Sequence, residues 1–98
     1  MEKRIHLHVL TGEGPAIEDE ATSIIAPAEL GALGILYNHA PLVTTLQPGP
    51  LKWRTLSGEW KVANIGSGLL EIAHNQLTIL TNTVTILQTH ETSPLAHA

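Results

Sequence analysis

The sequence predicts an all-β domain, a sandwich or a barrel, and three observations carry that prediction. Short apolar or alternating runs are punctuated by turn residues about every 8 to 12 residues. No stretch of about ten residues repeats its apolar positions with the 3.6-residue period of a helix. Leu, Ile, Val and Thr stand in place of aromatics, with no Phe, one Tyr and two Trp. That bias suits packing on pleated sheets.

The elements follow in order. Ile5, Leu7 and Val9 alternate with His6 and His8, the period of a half-buried strand. Thr11-Gly12-Glu13-Gly14-Pro15 breaks it. Ala16 to Glu20 reads as a short edge strand, with Glu18, Asp19 and Glu20 deterring edge pairing. Ala21 to Ala26 reads as a further strand stopped by Pro27, and Pro27 to Leu30 as a loop. Gly31 and Gly34 mark bends or close backbone approaches. Tyr37 to Pro41 is an irregular turn, because Pro41 pushes Ala40 toward extended angles. Leu42 to Gln47 is a strand ended by Pro48-Gly49. Leu51, Trp53 and Thr55 then share one strand face, with Lys52 and Arg54 on the other. Ser57-Gly58 signals a hairpin, after which Trp60 and Val62 alternate with Lys61 as far as Asn64. Cross-strand packing of Trp53 and Trp60 is expected across that hairpin. Gly66-Ser67-Gly68 marks a bulge or a close crossing. Leu69 to Ala73, Leu77 to Thr81 and Val84 to Gln88 are strands, separated by His74-Asn75 and Asn82-Thr83. The expected organisation is one domain over 1–88 and a frayed tail over 89–98.

Totals restrict function. With 98 residues, of which 43% are hydrophobic and 14% charged, the chain suits one folded domain. A net charge of −4 argues against nucleic acid and against an anionic membrane surface. There is no cysteine, hence no disulfide, thiolate metal site or catalytic thiol. No apolar run approaches the roughly 20 residues of a membrane span, so no direct lipid insertion is expected.

Candidate chemistry is sparse. Only Glu18 and Glu20 of the acidic run can converge, since neighbouring strand residues point to opposite faces, and a solvated edge explains them. His6 and His8 share a face but suggest no third or fourth metal ligand. His39 lies in a glycine- and proline-punctuated loop, where functional residues concentrate. No serine accompanies it, and Gly66-Ser67-Gly68 lacks the spacing of a nucleophile elbow. A small ligand-binding module, taking a sugar or small acid on Trp53, Trp60 and the Tyr37 loop, is the alternative to a protein-binding one. No catalytic residue, cofactor or metal is assigned.

Gly31 to Gly49, Gly-Ala-Leu-Gly-Ile-Leu-Tyr-Asn-His-Ala-Pro-Leu-Val-Thr-Thr-Leu-Gln-Pro-Gly, resembles the Gly-x-Leu-Gly-Ile-x-x-x-His-Ala-Pro-Leu segment of the epsilon subunits of F-type ATP synthases, whose mitochondrial counterpart is called delta. Ile5 to Leu10 resembles the family's first strand. Gly66-Ser67-Gly68-Leu69-Leu70-Glu71 resembles its Ser-Gly-Gly-x-Leu-Glu-Val segment, and Gln76 to Thr83 its Val-Thr-Val-Leu-Ala-Asp-Thr. The likeness covers Ile5 to about Leu87.

The resemblance implies a flattened ten-strand β-sandwich at the foot of the central rotor stalk. It implies contact with the gamma subunit around Thr11, His39 and Thr44. It implies contact with the membrane c-ring around Glu29, Leu30, Gly31 and Ala32, and indirect contact with the catalytic head. The implied role is non-catalytic coupling of the ring to gamma during proton- or sodium-driven ATP synthesis, at the cytoplasmic face of a bacterial plasma membrane. The family often carries an acid where Ala32 stands, with Glu29 the nearest substitute. It often has Pro-Gly or Pro-Asn where Tyr37-Asn38 precede His39. Typical bacterial members continue into two inhibitory helices, some with an ATP site. No such helical hairpin is expected in this sequence, and neither property is carried over.

Overall fold

Alternation in sequence becomes alternation of burial. In the computed structural model, which describes residues 3–87, strand β1 (Ile5–Thr11) buries Ile5, Leu7 and Val9 completely and turns His6 and His8 outward. Eight more strands follow: β2 (Gly14–Ala28), β3 (Gly31–Leu36), β4 (Leu42–Leu46), β5 (Gly49–Thr55), β6 (Trp60–Ile65), β7 (Gly68–Ala73), β8 (Gln76–Thr81) and β9 (Val84–Ile86). All pairings are antiparallel except β1 with β8. Residue 88 and the tail over 89–98 lie outside the described residues.

The pairings build the two-layer sandwich that the family likeness implies. One layer runs from the first half of β2 through β1, β8 and β7 to β4. The other runs from β3 through the second half of β2 to β5, β6 and β9. Nine strands are described, and β2 serves in both layers. Inward aliphatics from both layers, with Trp53, form one core.

β2 corrects two expectations. The expected strands at Ala16–Glu20 and Ala21–Ala26 are one strand, which changes neighbours through an irregularity between Ala21 and Ser23. Before it, β2 pairs with β1, and its acids lie on a sheet edge as expected. Pro27 does not stop the strand. It is buried near the strand's end, where its carbonyl accepts the Gln47 amide at 2.9 Å, a place that tolerates a residue without N–H. The expected loop therefore shrinks to the Glu29-Leu30 turn, and Gly31–Leu36 is a strand. Gly31 has φ +128°, open to glycine and strained for other residues.

β6 corrects a third. Its buried residues are Ala63 and Ile65, so the inward series is 61, 63, 65, and Trp60 and Val62 face outward. Trp53 pairs with Lys61 and Trp60 with Arg54, so the two tryptophans lie on opposite faces and do not pack together.

The close crossing at Gly66-Ser67-Gly68 is present. A Cβ on Gly68 would stand 2.0 Å from the Leu80 carbonyl oxygen. The buried Thr81 hydroxyl donates to the Ser67 carbonyl at 2.9 Å, closing the same corner. At the opposite end, His74 and Asn75 both have positive φ, the signature of a two-residue type I′ hairpin. The Asn38 amide nitrogen donates to Asn75 Oδ1 at 2.6 Å, and Asn75 Nδ2 donates to Asn38 Oδ1 at 3.1 Å. This reciprocal pair ties the His39 loop to that hairpin.

Candidate functional site

The candidate catalytic and metal residues stay apart. His39 follows β3, where its ring Nδ1 lies 2.6 Å from the Ala40 carbonyl. Ser67 sits at the other end of the sandwich, in the turn before β7. His6 and His8 stack, with ring centroids 6.5 Å apart and planes inclined by 16°. Their partners are polar: His8 Nε2 meets Gln76 Oε1 at 3.2 Å, and His6 Nδ1 lies 3.9 Å from Glu20 Oε1. Glu20 also receives Arg4. Among the described residues no three His, Asp or Glu side chains are arranged to hold a metal. Trp53, at 3% exposure, is core and offers no stacking platform for a sugar.

Asp19 is a heavily bonded acid. Its Oδ2 accepts the Trp53 indole N–H at 2.9 Å and the Lys61 ammonium at 3.4 Å, and its Oδ1 accepts the Glu20 amide at 2.8 Å. Burial pushes its carboxyl up, but the Trp53 bond, the Glu20 amide and the Lys61 charge outweigh burial and hold it below the ordinary value. Every donor is intramolecular, so the arrangement joins layers and leaves nothing poised for a substrate.

Apolar exposure is more telling. Val43, Leu69 and Leu80 cross the outer face of β4, β7 and β8, exposed by 60%, 42% and 49%. Leu69 faces Leu80 and Thr45, while Val43 faces Glu71. With Glu71 and Thr78 they line a shallow cleft of about 200 Å³. Leu30 stands fully exposed at the tip of the β2–β3 turn. Exposed aliphatics gathered on one face are features of a docking surface.

Comparison with known proteins shows the family. Residues 4–86 match the family model described as ATP synthase, Delta/Epsilon chain, beta-sandwich domain. The chain belongs to this family. Delta/epsilon chains are non-catalytic subunits of the rotary complex. The ATP synthase epsilon chain of Natranaerobius thermophilus is 44% identical over 82 residues, covering 83% of this chain and 58% of the relative. That of Dichelobacter nodosus is 35% identical over 80 residues, covering 82% and 56%. The chain thus spans little more than half the length of these relatives. Among solved structures, the fold matches a chain of the Euglena gracilis mitochondrial ATP synthase, OSCP/F1/c-ring (TM-score 0.80, 19% identity, 88% of this chain and 55% of that one). It also matches a chain of the Tetrahymena thermophila mitochondrial ATP synthase central stalk/c-ring (TM-score 0.67, 21% identity, 85% and 66%).

Within this epsilon-type domain, the expected ring-facing residues Glu29, Leu30, Gly31 and Ala32 are contiguous in one turn, where the Glu29 amide donates to the Thr45 carbonyl at 3.2 Å. The expected gamma-facing residues do not form one cluster. Thr11 ends β1, its hydroxyl donating to the Gly14 carbonyl at 3.3 Å, at the same end as Leu30. His39 lies at the opposite end, beside the His74-Asn75 hairpin, and Thr44 lies between them on β4 opposite Leu70. The apolar stripe went unread in sequence. Its signal is there in Leu42-Val43, Leu69-Leu70 and Ile79-Leu80, since an aliphatic doublet in a strand must turn one member outward.

Proposed function

We propose that this chain is a rotor subunit that couples the membrane c-ring to gamma during proton- or sodium-driven ATP synthesis, peripheral on the cytoplasmic face of a bacterial plasma membrane. The separation of its apolar features carries the reading. Leu30 projects from one end of the sandwich, and Val43, Leu69 and Leu80 lie on the side of one layer, so two partners can be held at once. In this arrangement the Glu29–Ala32 turn meets the ring, and the stripe meets gamma. Coupling needs a body that transmits force without deforming, and a densely packed core supplies it. Among the described residues no helix is long and apolar enough to cross a membrane.

The test is gel filtration after mixing with the gamma subunit of the same synthase. Co-elution is expected, and migration as a free monomer refutes the reading. Neither inhibition nor ATP binding is part of this proposal.

A further inference from the structure

The charges borne by strands segregate by layer. Glu18, Asp19, Glu20 and Glu71 all lie on the β2-first-half, β1, β8, β7, β4 layer. Lys52, Arg54 and Lys61 all lie on β5 and β6 of the other. Lys61 points inward to Asp19. Lys52 and Arg54 point outward, since Leu51, Trp53 and Thr55 are buried between and beside them. The register sets Lys52 opposite Ile25 and Val62, and Arg54 opposite Ser23 and Trp60. Ile25, Val62 and Trp60 are half-exposed, as is Ser23, and no acid occupies a strand position on this outer face. Arg54 is held in place through Nε, which donates to the Gly58 carbonyl at 3.3 Å.

We propose that this face, centred on Lys52, Arg54 and Trp60, is a third docking surface, and that its occupant is a carboxylate-bearing protein surface within the assembled rotary complex. The inference rests on the rotor reading above. An arginine beside a tryptophan is the composition of an energetic anchor in protein interfaces. In a chain of net charge −4, two cations at successive outward positions of one strand, with no acid at a strand position of the same face, select an acidic partner by charge complementarity. Two cations are too few for an anionic bilayer, which is read by clusters of about 4–8. They are too few for nucleic acid as well, where each neutralised phosphate adds to binding.

The test uses the assembled complex and the free chain side by side. Both are acetylated with an N-hydroxysuccinimide ester, and labelling of Lys52 is read by mass spectrometry. Lys52 is expected to label at least about tenfold more slowly in the complex, as burial under an interface demands. A zero-length carbodiimide is expected to join it to an Asp or Glu of another subunit. K52E/R54E is expected to leave the complex more readily, with an unchanged melting temperature. Should that variant misfold, labelling of the wild type still decides. Equal labelling in a complex that retains the wild-type chain overturns this inference and leaves the rotor reading standing. Protection without a carboxylate cross-link overturns the acidic assignment. Binding to phosphatidylglycerol vesicles that K52E/R54E abolishes assigns the face to lipid and overturns it too. A wild-type chain that is never retained overturns both readings.

Discussion

Trp53 Nε1 donates to Asp19 Oδ2 at 2.9 Å, a bond that joins the buried indole of one layer to an edge-strand carboxylate of the other. Lys61, paired with Trp53 across β5 and β6, reaches the same oxygen. Replacing Asp19 with Ala leaves the indole N–H without its acceptor and Lys61 without its counter-ion. The expected loss is about 1–3 kcal/mol of unfolding free energy, read by urea denaturation. Trp53→Phe should cost more, because it also opens a void in the core. If Asp19→Ala is neutral, the bond does not join the layers.

The same carboxyl gives a pH dependence of known sign. Its folded value lies below the ordinary 3.8, so its contribution is complete above 3.8 and is lost as pH falls through the lower folded value. The stability gap between wild type and Asp19→Asn should therefore be flat at neutral pH and shrink only in acid below 3.8. Measuring both proteins across that window checks the sign. A gap that widens in acid contradicts it.

Gly68 and Gly34 predict opposite outcomes for one substitution. A Cβ at 68 meets the Leu80 carbonyl oxygen at 2.0 Å, and backbone on both strands must give way. Gly68→Ala should cost more than about 2 kcal/mol. A Cβ at 34 meets nothing within 4 Å, so Gly34→Ala should stay within about 0.5 kcal/mol of wild type in thermal melts.

Period-two patterning made most of the fold legible. Ile5, Leu7 and Val9, or Leu51, Trp53 and Thr55, announce both a strand and its inward face. The pattern misled where local rules met tertiary context. Trp60 and Val62 look more like core than Ala63, yet Ala63 and Ile65 point inward because their cross-strand partners are Leu51 and Gly49. Pro27 looks like a terminator, yet the end of β2 has no use for its missing N–H. For the docking surfaces, the turn carrying Leu30 was legible through the family motif. Val43, Leu69 and Leu80 lie far apart in sequence and become a stripe only through the β4–β7–β8 register. Register between distant strands is not written in any local stretch of chain.

The two docking features should fail independently. An aspartate in place of Leu30 puts a charge where the ring contact is proposed, with no partner on its own turn. Glutamate in place of Val43 or Leu80 does the same on the stripe, already bordered by Glu71. Leaving one such charge uncompensated at an apolar contact should weaken that contact about 10- to 100-fold. All three side chains are exposed, so the fold should survive, and unchanged melting temperatures check this. Leu30→Asp should then release the c-ring while keeping gamma, and Val43→Glu or Leu80→Glu should release gamma. Bulky charged residues at His39 or Thr44 should also weaken gamma binding without unfolding. The two positions test surfaces other than the stripe: Thr44, opposite the buried Leu70, points to the other side of β4 from Val43, and His39 lies at the far end of the sandwich from Leu30. If Val43→Glu leaves gamma affinity unchanged while His39→Glu abolishes it, gamma sits on the hairpin end and the stripe faces something else.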